Sequence, residues 1–311
     1  MNNKLVFFSA FFFYPVFVLA NWCPQWSQPK AVGYLNSDVI DEASGIEVSP
    51  LSKQRLFHIN DSGDGPHFYT SDLNGNDTKT ISIKGFSPVD VEDLTLGPCL
   101  DKKSCLFIGD IGDNNKVRED IVVVLIEEKP SFDKEVSPSL TLRLKYPDGP
   151  HNAEGIAVHP NGDLYILTKE FDDQAEVAKA ASLFRLKKED ISSAGKKIKP
   201  LEKVGEFNFP SILGNVDVFG QIVTAFDISA DGKTLLVLTY RAILEIKMDL
   251  ATGIKPVSQW IKNKDYRILP VKILPQQEAI TYGSDGKSIF YTTEYHARQG
   301  KPVIYEMECL P

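Results

Sequence analysis

One unit recurs five times along the chain. Its clearest copy spans residues 153–170, AEGIAVHPNGDLYILTKE. It holds a carboxylate, an apolar strand through Ile156 and Val158, a turn at Pro160-Asn161-Gly162-Asp163, and a second strand through Leu164, Ile166 and Leu167. Asn-Gly accepts the positive φ that a tight hairpin needs. The other copies carry SGIEVSP from Ser44, EDLTLGP at 92–98, FDISADG from Phe226 and EAITYGSDG from Glu278. Each is followed by a second strand: RLFHIND, CLFIGD, TLLVLTY and SIFYTTE. The copies start 48 to 72 residues apart.

A third strand follows each pair: HFYTSDL, IVVVLIEE, SLFRLKK, AILEIKMD and VIYEMECL. A fourth follows in four copies: KTISIKG, LTLRLKYP, EKVGEFNF and a weaker one near PVSQWIK. The last copy runs out of chain, and KAVGYL at 30–35 can supply its missing strand. Four-stranded units whose first and last segments share a blade define a β-propeller. The sequence therefore predicts an all-β, five-bladed propeller in a single domain over residues 21–311. Six blades is the alternative if 207–218 hides a degenerate copy. The inserts DDQAEVAKAAS and KKEDISSAGKK read as exposed loops, the first with a helical turn.

Residues 5–19 are almost wholly apolar after Lys4, and Val18-Leu19-Ala20 offers small residues for cleavage, so residues 1–20 read as a secretory signal. No other apolar stretch is long enough to cross a membrane. Export to the periplasm or the cell exterior makes disulfides expected for the four cysteines. Of three pairings, Cys99 with Cys105 and Cys23 with Cys309 fit the repeat best. The first closes a short loop between two strands, and the second joins the chain ends where the last blade closes. A zinc site lacks the C-x-x-C spacing it would need. The formal net charge of −8, with no basic stripe, disfavours nucleic-acid binding.

First strands line the channel of a propeller, so equivalent residues meet around the axis. Aligned two before the first-strand Ile or Leu, these are Ser44, Glu92, Glu154, Phe226 and Glu278. Three buried like charges repel unless a cation neutralises them or their pKa values rise. An all-oxygen ring suits Ca²⁺. Phe226 breaks the ring, with Asp227 or Thr224 as substitutes if the register slips. The competing reading is that the acids bond backbone N–H groups of neighbouring blades. Second strands end at the channel mouth, which places Asp61, Asp110, Lys169, Arg241 and Glu294 there, with Asp113 and Arg298 in adjoining loops. Lys169, Arg241 and Arg298 can hold a phosphate or carboxylate. Asp110 or Asp113 is the candidate base.

The ring order Ser, Glu, Glu, variable, Glu resembles the calcium-activated nucleotidases (secreted apyrases). SGIEVSP…INDSGD and EGIAV are similar to their first and third blades. The resemblance implies a five-bladed propeller with an axial calcium, held here by Ser44, Glu92, Glu154 and Glu278, and hydrolysis of nucleoside di- and triphosphates. Phe226 departs from that pattern, and the nucleotide-contacting residues have no match. The strings VEDLTLGP, IGDIGDNN and YPDGPHNAEGIAV are similar to exported bacterial propellers, including the phytase-like and SdiA-regulated groups. Two functions follow as expectations: a calcium-stiffened propeller binding a small anionic ligand or a protein partner at its mouth, and a calcium-dependent phosphohydrolase.

Overall fold

The computed structural model describes residues 22–99, 103–192, 197–296, 298 and 300–311. The segment read as a secretory signal lies outside the described residues. Five antiparallel sheets account for the five repeats. Their inner strands are Ala43–Val48, Val91–Pro98, Ala153–Val158, Val223–Ile228 and Gln277–Tyr282. These open blades I to V in that order. The second strands are Leu56–Asn60, Ser104–Asp110, Leu164–Thr168, Thr234–Thr239 and Ser288–Thr293. The turns between them use glycine where φ must be positive, at Gly162 (97°), Gly232 (73°) and Gly286 (66°).

Blade V closes the circle. Its third strand, Val303–Leu310, takes Lys30–Tyr34 as its outer neighbour, and Gln25–Trp26 pairs further along the same edge. Cys23 is bonded to Cys309 at this join, and Cys99 to Cys105 across the start of blade II's second strand.

Alternation along each strand sends successive side chains into opposite seams. In blade I, Leu56 packs toward blade V while Phe57 packs toward blade II. The apolar residues accordingly form five clusters, one in each seam between neighbouring blades. The circle is held by side-chain packing between sheets, and hydrogen bonding within them. Two short segments add parallel strands to the preceding blade: Glu135–Val136 beside Lys79–Ile83, and Lys199–Pro200 beside Leu140–Lys145.

Three local expectations need correction. The outer strand of blade IV is Tyr266–Leu269; the PVSQWIK stretch is a single 3-10 turn, Val257–Gln259, entered through Pro256. Pro256 offers no N–H to a ladder, and Trp260 turns inward against Phe207 and Tyr266. The insert after Thr168 is a two-stranded hairpin, Phe171–Asp172 with Val177–Ala178, in place of a helical turn. No sixth blade lies at 207–218. Phe207 ends the outer strand of blade III, and Pro210–Leu213 is one helical turn whose Leu213 is buried between blades III and IV.

The two disulfides differ in what they restrain. By loop entropy the 286-residue closure contributes roughly 5 kcal/mol and the six-residue closure about 2 kcal/mol. Replacing Cys23 and Cys309 by Ser should therefore lower the melting temperature well below that of the Cys99/Cys105 double Ser variant. Thermal denaturation under non-reducing conditions measures both, and equal losses would contradict a blade V closure that depends on the bridge.

Candidate metal and ligand site at the channel mouth

Every inner strand carries a β-bulge at its second residue. The register shifts between Ala43 and Gly45, Val91 and Asp93, Ala153 and Gly155, Val223 and Ala225, and Gln277 and Ala279. A bulge leaves one residue out of the ladder and re-aims its side chain. The five bulged residues are Ser44, Glu92, Glu154, Thr224 and Glu278. All are buried. Blade IV thus contributes Thr224, and Phe226 is the correction: it occupies the position of Ile46, Leu94, Ile156 and Ile280, and packs in the seam with blade III. Asp227 lies three residues beyond the bulge and faces elsewhere.

A second ring is formed where the second strands end. The residues just past the pairs opposite each bulge are Asp61, Ile111, Lys169, Tyr240 and Glu294. Backbone bonds fix three of them: Asp61, Lys169 and Glu294 donate their N–H to the carbonyls of Glu42, Asn152 and Gln276, at 2.8–3.0 Å. In blade II, Gly112 donates to Asp90 in the same way. That bond brings Asp90 to the mouth.

The rings meet around Asp61. Carboxylate oxygens of Asp61, Asp90 and Glu92 lie within 4.8 Å of one another, and so do those of Asp61, Glu278 and Glu294. Burial, then Glu154, Asp61 and Asp90, hold the Glu92 pKa well above the usual carboxylate range. Burial and the adjacent Glu294 push Glu278 up to about 8. Asp90 and Glu294 are raised as well, each chiefly by burial, with the Asp61 charge adding to it. Ser44 is fully buried in this ring, and its Oγ has no hydrogen-bond partner.

Blades III and IV build a different half. Lys169 Nζ lies 2.9 Å from Glu154 Oε1 and 3.1 Å from the Tyr240 hydroxyl, with the ammonium 5.4 Å from the Tyr240 ring centre. Tyr240 donates in turn to Glu278 Oε1 at 2.8 Å. Asn152 Nδ2 donates to Glu154 Oε1 at 3.3 Å. Burial disfavours the Lys169 charge, but Glu154, Tyr240 and Glu278 outweigh it and hold the Lys169 pKa above its ordinary value. Burial pushes Glu154 the opposite way, toward the neutral acid. The contact decides between them: an ammonium at 2.9 Å favours a charged pair. Lys169 is thus a resident counter-ion for Glu154, and among the described residues no Lys or Arg forms an ion pair with the carboxylates around Asp61.

The remaining sequence-predicted residues fall outside the cluster or serve its frame. Asp110 accepts from the Asp90 N–H at 2.9 Å and the Val89 N–H at 3.3 Å, and pairs with Arg118 at 2.8 Å. Asp113 caps its own loop through the Arg118 N–H at 2.7 Å, and its N–H donates to Asn152 Oδ1. Both acids shape the loops that carry Asp90 and Asn152. Arg241 pairs with Asp217 at 3.2 Å, beside an open pocket at the mouth. Tyr240, one residue earlier, is the one that enters the ring. Arg298 is exposed. The carboxylates of Glu92, Glu154 and Glu278 make no bond to a neighbouring blade's backbone among the described contacts. Asp93, Glu47 and Asp227 do so: they accept from Ile156, Leu96 and Tyr282 N–H groups at 3.0, 3.3 and 2.8 Å.

Tyr240, Asp90, Asn152 and Thr224 were not singled out by sequence as site residues, Thr224 standing only as a substitute. One signal bears on Thr224. The residue after the bulge is small in four blades, Gly45, Gly155, Ala225 and Ala279. A Cβ at Gly45 would meet Leu94 N at 2.9 Å, and one at Gly155 would meet Phe226 Cβ at 2.5 Å. The close approach of blades demands a small residue there, and that pattern aligns Thr224 with Ser44.

The chain is a five-bladed β-propeller with an acidic, bulge-built site at one end of its channel. No family model matches it, and no curated protein does. Solved structures are similar to it at low identity. One is a luciferin-regenerating enzyme, 11% identical over 91% of this chain and 95% of that one, with a TM-score of 0.46. Another is a gluconolactonase from Xanthomonas campestris, 12% identical over 86% and 72%, with a TM-score of 0.43. A structural-genomics target with a gluconolactonase assignment is 11% identical over 90% and 91%, with a TM-score of 0.47. Likeness at this level says nothing of what the chain does. None of these matches extends the resemblance to the nucleotidases or to the phytase-like and SdiA-regulated groups.

Removing the resident ammonium isolates its role. Lys169→Gln leaves Glu154 buried without its partner, and loss of one member of a buried pair costs about 3–5 kcal/mol. The variant should be strongly destabilised without added metal and substantially rescued by millimolar Ca²⁺, as followed by thermal unfolding. A variant as stable as the parent would show that Lys169 does not balance the ring.

Proposed function

We propose that the protein is an exported propeller that holds Ca²⁺ at the head of its channel and binds an anionic ligand at the mouth over that ion. The observation that carries this is a pair of acid triads that share Asp61, one with Asp90 and Glu92 and the other with Glu278 and Glu294, in a ring that also carries the unpartnered Ser44 Oγ. These are hard oxygen donors only, the set that Ca²⁺ takes. A hydroxyl with no partner in a buried acidic ring is a ligand atom in want of a cation. Ser44, Asp61, Glu92 and Glu278 would hold the ion, with Asp90 and Glu294 flanking it. Glu154 keeps Lys169, whose ammonium stands beside the site and favours an anion there. Two disulfides agree with the oxidising compartment that export implies. Among the described residues, no helix is long and apolar enough to cross a membrane.

Hydrolysis of phosphate esters would need a base with a free oxygen near the ion. The sequence candidates Asp110 and Asp113 are engaged with Arg118 and backbone N–H groups, so we propose binding in preference to turnover.

Added Ca²⁺ should raise the melting temperature in proportion to the logarithm of its concentration above Kd. Glu92→Gln and Glu278→Gln should each remove most of that response. A parent protein indifferent to Ca²⁺ would refute the site. A phosphate-release screen run with and without Ca²⁺ should show no turnover, and calcium-dependent release would favour the phosphohydrolase.

The pH dependence has a definite sign. Glu278 binds its proton more tightly when folded, at about 8 against an ordinary value of 4.5. Without divalent cations, stability should therefore fall as pH rises from about 4.5 to about 8. The half-buried His151 adds to the fall over the upper part of this window. Burial opposes its charge, but Glu170 and Asp148 raise its pKa, and their stabilisation is lost as it deprotonates. Saturating Ca²⁺ should displace the Glu278 proton and flatten the carboxylate part of the slope. Urea titrations across this range measure it; a Glu278→Gln variant with an unchanged slope would contradict the assignment.

A further inference from the structure

The channel has a second end, and its lining is as regular as the first. Four residues after each bulge stand Val48, Leu96, Val158, Ile228 and Tyr282, one from each blade. They wall a pocket of ≈ 330 Å³ that opens away from the mouth. That volume is within the range of small-molecule sites, about 300–1,000 Å³. Just above this collar lie two carboxylates, Glu47 and Asp227, only 8% and 7% exposed and lining the pocket.

Uncharged donors fix both acids. Glu47 accepts from the Val48 N–H at 2.9 Å, the Thr281 hydroxyl at 2.8 Å and, more weakly, the Leu96 N–H at 3.3 Å. Asp227 accepts from the Ile228 and Tyr282 N–H groups at 2.7 and 2.8 Å. These bonds tie neighbouring blades, which one acid with a neutral partner would do as well. Among the described residues no Lys or Arg forms an ion pair with either. Burial and the mutual charge raise the Glu47 pKa well above its ordinary value. The Thr95 hydroxyl also approaches Glu47 at 3.4 Å and the Thr281 hydroxyl approaches Asp227 at 3.3 Å, so neutral donors surround both acids, and among the described residues no cation meets either.

We infer that this pocket binds an organic ammonium: a primary amine whose charged head reaches Glu47 and Asp227 and whose apolar body lies against the five-residue collar. Charge complementarity selects the head, because a buried acid pair without a counter-ion gains most from a donor that is itself charged. The collar selects the body, since its side chains offer mainly apolar area, with Ser229 and Ser284 the polar side chains beyond it. A bare divalent ion fits less well, because backbone N–H groups already occupy much of the oxygens' coordination space. The site is independent of the one at the mouth.

Titration calorimetry with n-hexylamine on the full protein tests this. Saturable one-to-one binding is expected, weaker by about tenfold or more for n-hexanol, which lacks the charge. Glu47→Gln should weaken amine binding by a similar factor. Should that variant fold poorly, Ala230→Trp is the alternative: it fills the exposed rim, keeps both acids, and should abolish binding with the melting temperature unchanged. Glu92→Gln, at the opposite end, should leave binding intact. No saturable binding by the parent, equal binding of hexanol, binding that survives Ala230→Trp, or binding lost in Glu92→Gln would each overturn the proposal.

Discussion

A bulge at one register position in all five inner strands is the constraint on which the mouth depends. Without it, strict alternation would send Glu92, Glu154 and Glu278 into the apolar seams, where Phe226 and its equivalents now pack. The bulge gives the chain one extra residue per blade and turns that side chain toward the axis. Its cost is a tight approach between neighbouring blades, met by Gly45, Gly155, Ala225 and Ala279. Closure of blade V by the N-terminal strand then fixes the circle, so that residues more than 200 positions apart face one another.

Charge at the mouth is divided rather than uniform. One half is neutral overall, with Lys169 between Glu154 and Tyr240. The other half gathers carboxylates around Asp61 and a Ser44 hydroxyl without a partner. Buried like charges are tolerated only by binding protons or a cation. The raised pKa values of Glu92 and Glu278 express the first of these, and the calcium proposal expresses the second. Tyr240 joins the halves, donating to Glu278 while its oxygen accepts from Lys169.

Much of this was legible in the sequence, and for physical reasons. Period-two alternation and Asn-Gly or Asp-Gly turns mark the inner hairpins, and their fivefold recurrence leaves few folds other than a propeller. The missing last strand and the end-to-end cysteines point to the same closure. Register was harder. Phe226 and Ile228 are both apolar, so hydropathy alone could not say which matched Ile46, and the misalignment placed Phe226 where Thr224 belongs. Tyr240 was passed over for Arg241 because charge draws attention, whereas the ring position is set by pairing with the bulge. Asp90 precedes its strand, and only the Gly112 bond brings it in. The outer strand of blade IV was misplaced because edge strands are short and weakly patterned. The second end of the channel was not foreseen at all: its collar is made of ordinary strand residues, and only the circle gives them a shared purpose.

The proposed site places one cation among Asp61, Glu92 and Glu278. Crystals grown or soaked with Mn²⁺ or a lanthanide in place of Ca²⁺ would locate it by anomalous scattering. The predicted result is a single strong peak on the channel axis within coordinating distance of Asp61, Glu92 and Glu278, with Lys169 still paired to Glu154. A mouth with no peak, or one in which the Lys169 ammonium has moved in among those three carboxylates, would contradict it.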